Sequence, residues 1–218
     1  MTVFTEGRHA AEFLLSEGQG NFSRDNIAIA ASQDFQAGQV LGKRAVVADV
    51  VATPSAKAGN TGDATIAMGN PAVTSKVKDG RYVGIATDAT HVRWEDPSGR
   101  EIGGSTHGTA FAKGGVSFTI TAGSTPNVAG DEFYVDVAAD VGDFEYGAHD
   151  PAATDGFEVA AAVALYPATT GAGESTKISA ITRLAEVNSN CLGWDADITD
   201  GQKADAIQAL ADRGIIVR

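Results

Sequence analysis

A single cysteine, Cys191, stands in 218 residues, so no intrachain disulfide staples the fold and nothing ties the chain to an oxidising compartment. Cys191 itself reads as a small packed side chain. Basic residues are also short: 16 Lys and Arg face 28 Asp and Glu, a formal charge of −12. Affinity for nucleic acid comes largely from Lys and Arg displacing phosphate counterions, so a nucleic-acid partner is not expected. High net charge instead suits a protein that stays soluble at high copy number. Long apolar runs are missing. The longest, Val159 to Tyr166, falls far short of the ~20 residues of a membrane-spanning helix. The opening, Met1 to Arg8, has neither the basic start nor the apolar stretch of a secretory signal. A soluble intracellular product with no membrane partner is the expectation.

Glycine is what the chain has in plenty, with 26 residues against a usual share of ~7%. Aromatics make up only 7%, so the apolar fraction leans on Ala and Val, a composition that favours short strands and tight turns. Strands are predicted at 64–68, 81–87, 91–95, 116–121 and 132–137. In the last two, Val116/Phe118/Ile120 and Phe133/Val135/Val137 alternate with polar neighbours, the period of a half-buried strand. Asp96-Pro97-Ser98-Gly99 has Pro second and Gly fourth, the pattern of a type I turn closing a hairpin. Further turns fall at 123–127 and 129–131, so this block reads as a small β-sandwich.

Two clusters of turn formers, Pro54 to Asp63 and Asp143 to Gly156, read as linkers on either side of that block. Beyond the second come an apolar run at 158–166, a loop at 167–174 and a strand over Lys177 to Val187. Thr199-Asp200-Gly201-Gln202 fits a capping box, after which Ala204, Ile207, Leu210 and Ala211 form one apolar stripe of a helix. Gly214 supplies its left-handed stop, and Ile215 to Val217 a last short strand. The organisation expected is an N-terminal arm over 1–24, a discontinuous domain over 25–56 and 141–218, and an inserted β-domain over 57–140.

The search for chemistry is largely negative. His9, His91, His107 and His149 do not stand at metal-ligand spacing. Ser105 and His107 share one side of a strand, but no nucleophile elbow surrounds them, and a polar strand edge is the better account. Gly38 to Arg44 lacks the spacing of a phosphate loop and has Arg44 where Ser or Thr belongs. Asp195 to Gly201 hints at a calcium loop, yet Asp200 occupies its glycine position and Ala206 the place of the bidentate Glu, so helix capping explains it. Trp94 and Trp194 read as core or interface anchors. Neither a catalytic residue, a cofactor nor a metal is expected.

The opening remains the most informative stretch. Phe13, Leu14 and Leu15 form one apolar knot in a polar, glycine-bearing arm, too little surface to order itself alone. Ser23-Arg24-Asp25-Asn26 then leads into Asn26 to Ala31, with Ile27, Ile29 and Ala31 on one face, and Ala37-Gly38-Gln39-Val40-Leu41-Gly42-Lys43 reads as a turn into a second strand. These segments resemble the head decoration proteins of tailed bacteriophages, the family of the phage lambda decoration protein D. The resemblance extends to 155–166, to Ile181 through Asn188, and to the end from Ala209 to Arg218. The middle block is similar to β-domain insertions in longer relatives, at Glu95-Asp96-Pro97, Gly108-Thr109-Ala110-Phe111 and Ser117-Phe118-Thr119-Ile120.

The resemblance implies a mainly β fold: a β-clip-like decoration domain with one short C-terminal helix, interrupted by a small β-sandwich-like insertion. It also implies a non-enzymatic capsid cement protein on the outer surface of the expanded head. Such a protein sits as a homotrimer at local three-fold positions, with the major capsid protein as partner and the host cytoplasm as its place before assembly. Phe13, Leu14, Leu15, Phe22 and Arg24 are the residues expected in a capsid-binding arm. The alternative class is a glycan- or host-surface-binding module, in which the inserted sandwich and Trp94 make the binding face.

Overall fold

The computed structural model describes residues 6–218, so the first five residues of the expected arm lie outside it. The fold is mainly β, with one α-helix among the described residues. It divides into two compact units, one made of Met1–Arg44 with Phe144–Arg218, the other of Ala45–Asp143. The chain opens with β1 (Leu14–Glu17), β2 (Arg24–Ile29), β3 (Asp34–Phe35) and β4 (Val40–Ala45). The middle contributes β5 (Val51–Ala56), β6 (Thr65–Val73), β7 (Gly80–Ala86), β8 (His91–Glu95), β9 (Glu101–Thr106), β10 (Ala110–Lys113), β11 (Val116–Thr121) and β12 (Glu132–Ala138). The last part adds β13 (Phe144–Ala148), β14 (Ala160–Ala164), β15 (Ala168–Thr169), β16 (Thr176–Ile181), β17 (Ala185–Val187), α1 (Asp200–Ala211) and β18 (Ile215–Val217).

In the discontinuous unit, β13, β2, β16, β14 and β4 close into a barrel. Five strands enclose little space, and the sequence answers with small side chains: Ala161, Ala162, Ala164 and Ala180 pack with Ile27, Ile29, Leu41 and Tyr146. The run at 158–166 contains β14, which is buried along its whole length. A second core cluster joins Phe13, Val40, Val163, Leu165, Ile181, Val187, Leu210 and Ile215, beneath a three-stranded sheet of order β1-β17-β18. Helix α1 begins with the expected capping box of Thr199 and Gln202, and Gly214 takes φ +76° after it. Its buried face is Ala206 and Leu210, whereas Ala204 is exposed. Alanines fall on both faces of this helix, so periodicity alone did not select the packed one.

The inserted unit holds two sheets, β5-β12-β7-β8-β9 and β10-β11-β6. Trp94 of β8 meets Phe118 of β11 and Phe111 of β10, with ring centroids 4.4 and 6.2 Å away, which joins the sheets as a sandwich. The Trp94 indole Nε1 donates to Ser105 Oγ at 2.9 Å. Gly84 lies under that indole, where a Cβ would come within 2.6 Å of Cζ2. Tyr82 donates its hydroxyl to the Gly114 carbonyl at 2.8 Å, and burial pushes its pKa up to about 12.

Strands run into both segments read as linkers, at 54–56 and 144–148, while 57–63 and 149–156 are turns and loop. Val51–Ala56 pairs along its length with β12; it is the last strand of its sheet, so Pro54 forfeits no ladder bond by lacking an N–H. Phe144–Ala148 is a barrel strand, parallel to β2, in which Phe144 and Tyr146 are buried. The single strand expected over 177–187 is broken at Thr182 to Leu184, where Leu184 takes φ +43°.

Candidate functional site

The N-terminal segment is built into its own unit already before β1, with the Arg8 side chain against Gly38 and Gly193 and Ala11 packed on the second core cluster. β1 pairs antiparallel with β17, Leu14 opposite Val187 and Ser16 opposite Glu186, with a bulge at Leu15 between them. The Phe13 carbonyl accepts from Asn188 N at 2.7 Å. These bonds satisfy the backbone and swing the Phe13 ring into the core, where it is 1% exposed. Leu14 packs partly buried against the same cluster. Phe13 and Leu14 therefore serve the protein's own fold, and the expectation that this knot is too small to order itself fails because β17 supplies the missing surface.

Leu15 and Phe22 are different, at 55% and 58% exposed. A tight turn carries Phe22: Gly20 and Asn21 take φ +68° and +63°. Buried Ser23 pins it, accepting from Gly18 N at 2.8 Å and donating to the Leu184 carbonyl at 2.6 Å. Beside Phe22, 5.5 Å from its ring, stands the Arg183 guanidinium, which holds Asp25 with both terminal nitrogens at 2.5 and 2.7 Å. Arg24 forks onto Glu17 at 2.8 and 2.6 Å. That fork holds the Glu17 carboxyl below the usual carboxylate range and raises the guanidinium. Leu184 completes the group at 52% exposed. The sequence reading did not single out Leu184 or Arg183; the available signal was a leucine out of step with the alternation of the strand around it.

The other candidates fall to structural roles. Ser105 is taken up by Trp94, and His107 Nε2 faces the Asn127 amide at 3.3 Å with its pKa lowered by burial. Thr199 caps α1. Trp94 is 0% exposed, so it cannot be the open platform that a glycan-binding sandwich requires. Cys191 is partly buried against the core. His149, 2% exposed, presents Nε2 to the Glu158 carbonyl at 3.2 Å beside a cleft of about 240 Å³ lined by Glu158, Val159, Gln202 and Asp205. Among the described residues no three His, Cys, Asp or Glu side chains group as metal ligands, and no helix is long and apolar enough to cross a membrane.

No curated protein matches the chain. Among solved structures, Xanthomonas campestris FlgL aligns at 18% identity over 51% of this chain and 34% of that chain, with a TM-score of 0.32. The flagellar hook junction protein FlgK from Burkholderia pseudomallei aligns at 22% identity over 62% and 23%, with a TM-score of 0.31. The chain spans about a third or less of those proteins' own length, an overlap that defines no common fold. The family comparison is of another order, since a single family model accounts for residues 3–215: the chain belongs to the bacteriophage lambda head decoration protein D family.

Proposed function

We propose that this protein is a non-catalytic cement protein that binds the outer face of the expanded phage head through the major capsid protein. It acts as a homotrimer at local three-fold sites and stabilises the shell against the pressure of packaged DNA. The observation that carries this reading is the family match across nearly the whole chain. The physics agrees. A body of charge −12 favours the side of the shell away from the genome. Strand β1 is the last strand of its sheet, and such an edge offers backbone groups to a strand of coat protein. Three copies in one trimer multiply weak contacts through effective concentration. Of the arm, Leu15 and Phe22 are exposed for that contact, with Arg24 beside them held by Glu17.

Co-sedimentation of the purified protein with expanded coat-protein shells tests the reading. Saturable binding, with knobs at three-fold positions by electron microscopy and a higher melting temperature of the decorated shell, is expected. Failure to co-sediment with shells of the cognate phage overturns it. Sedimentation equilibrium of the free protein separately tests the trimer.

A further inference from the structure

Leu15, Phe22 and Leu184 share a property that scattered surface leucines lack: a backbone irregularity presents each of them. Leu15 is the extra residue of the β1 bulge, a device that re-aims a side chain. Phe22 follows two residues in the left-handed region, Gly20 and Asn21. Leu184 itself holds φ +43°, an arrangement an L side chain tolerates only when its surroundings enforce it. The enforcement is visible, since the Leu184 carbonyl accepts from both Gly18 N at 3.3 Å and Ser23 Oγ at 2.6 Å. The turn that carries Phe22 and the corner that carries Leu184 are thus bolted together through one carbonyl.

Most of the charges around them stand in pairs, although exposed Arg213, whose carbonyl accepts from Leu184 N at 3.3 Å, is outside them. Glu17 is matched by Arg24, Asp25 by Arg183, and Glu186 by Arg218 at 2.7 Å, on a chain whose net charge is −12. A surface whose charge is mostly paired, and which exposes leucine and phenylalanine, selects an apolar occupant over a strongly charged one. A rigid one binds without the ordering cost that a mobile arm would carry. Resting on the capsid-binding reading above, we propose that Leu15, Phe22 and Leu184 form a preformed docking face for an apolar segment of the coat protein. Phe22, backed by the Arg183 guanidinium, is its central anchor. Recognition is then by a rigid face in addition to whatever the first residues of the chain contribute.

The test compares shell binding of the wild-type protein with that of Phe22→Ala, Leu184→Gly and the combination Leu15→Ala/Phe22→Ala/Leu184→Gly. Val159→Ala, at an exposed valine elsewhere on the same unit, is the control. Each single change should weaken half-saturation about tenfold and the combination more than a hundredfold, with Val159→Ala unchanged. Leu184→Gly should keep or raise the melting temperature, because glycine accepts the left-handed backbone, which separates loss of docking from loss of fold. If the combined variant unfolds, amide exchange of the wild-type protein with and without shells decides: protection gained at 14–24 and 182–187 supports the face, and unchanged exchange there overturns it. A wild type that ignores shells defeats the capsid reading itself. A wild type that binds while the folded triple variant binds equally well defeats only the docking face. So does a triple variant that loses self-association and retains shell affinity, which would make the surface a contact between copies.

Discussion

The two units solve the same packing problem with different materials. The inserted unit fills its interior with rings: Trp94, Phe111 and Phe118 in mutual contact, with Tyr82 and Phe133 buried as well. The discontinuous unit closes a barrel in which four alanines pack with Ile27, Ile29, Leu41 and Tyr146, and further large side chains, Phe13 and Leu210 among them, form a second layer under β1 and α1. The difference follows from geometry. Two facing sheets stand about 10 Å apart and need large side chains to bridge them, while a five-stranded barrel encloses so little space that its few large side chains must be offset by alanines. Each core should therefore fail in its own way, one by losing volume and the other by gaining it.

Deletion is the strongest way to break the comparison. Replacing Ala45–Asp143 by a short Gly/Ser linker should abolish the inserted unit's thermal transition and leave cooperative unfolding of the barrel. The cut ends are already adjacent, with Lys43 Nζ 3.5 Å from the Phe144 ring centroid and Arg44 Nε 2.7 Å from Glu145 Oε1. Calorimetry showing no cooperative transition would mean the two units share a core. Next in size, Trp94→Ala should cost the inserted unit about 3–5 kcal/mol, seen as one lowered transition in the intact protein with the other unmoved. The opposite error, Ala162→Leu, should cost the barrel roughly 1–3 kcal/mol by overpacking. If Trp94→Ala lowered both transitions equally, the contrast between the cores would collapse.

A pH series sharpens the same comparison. Burial lowers the His149 pKa, against the opposing pull of the Glu158 carbonyl and of Asp150, Asp195 and Glu158. The unfolded chain takes up a proton as pH falls through about 6.5, while the folded barrel holds this ring neutral. Its contribution is complete above that pH and declines below it, and His149→Gln should flatten the decline. His107, lowered by burial too, places the same window in the inserted unit, so His107→Gln is read beside it. Asp131 works at lower pH. Burial raises its pKa, but the N–H groups of Thr61, Gly62 and Val128 outweigh that and bring it below the usual range. The inserted unit should then weaken again as pH drops below about 4. The smallest effect expected is Thr199→Ala, about 1 kcal/mol from the lost cap, visible as faster amide exchange in α1.

How much of this was legible in the sequence depended on whether a residue's neighbours were local. The capping box, the left-handed Gly214 and the type I turn, in which Gly99 N donates to the Asp96 carbonyl at 2.8 Å, are each specified within a few positions and were readable. So were β11 and β12, whose alternation needs only one buried face. Strand β5 was hidden because Pro54 is a turn former everywhere except at a sheet edge, and edge status is a tertiary fact. β13 was hidden by the Gly, Asp and Pro that flank it, and what makes it a strand is its pairing with β2, far away in the chain. At the candidate site, Leu15 was read with Phe13 and Leu14 as one apolar knot, and the structure parts them, Leu15 exposed and Phe13 buried. The burial of Phe13 was not readable, because it depends on β17, far along the chain. Leu184 left only a faint signal, a leucine out of step with the alternation around it, because its outward pose comes from a backbone angle held through its carbonyl by Ser23.

Arg44 carries one more consequence. It ion-pairs with Glu145 and with Asp155 and lies over the Phe157 ring, its guanidinium carbon 4.5 Å from the centroid, so the last residue before the insertion is clamped to the first strand after it. With these contacts the two ends of the barrel sequence are held to each other within their own unit, independently of the sequence spliced between them. Evolution, or an engineer, is then free to exchange the module between these two ends, provided that the replacement leaves the clamp intact.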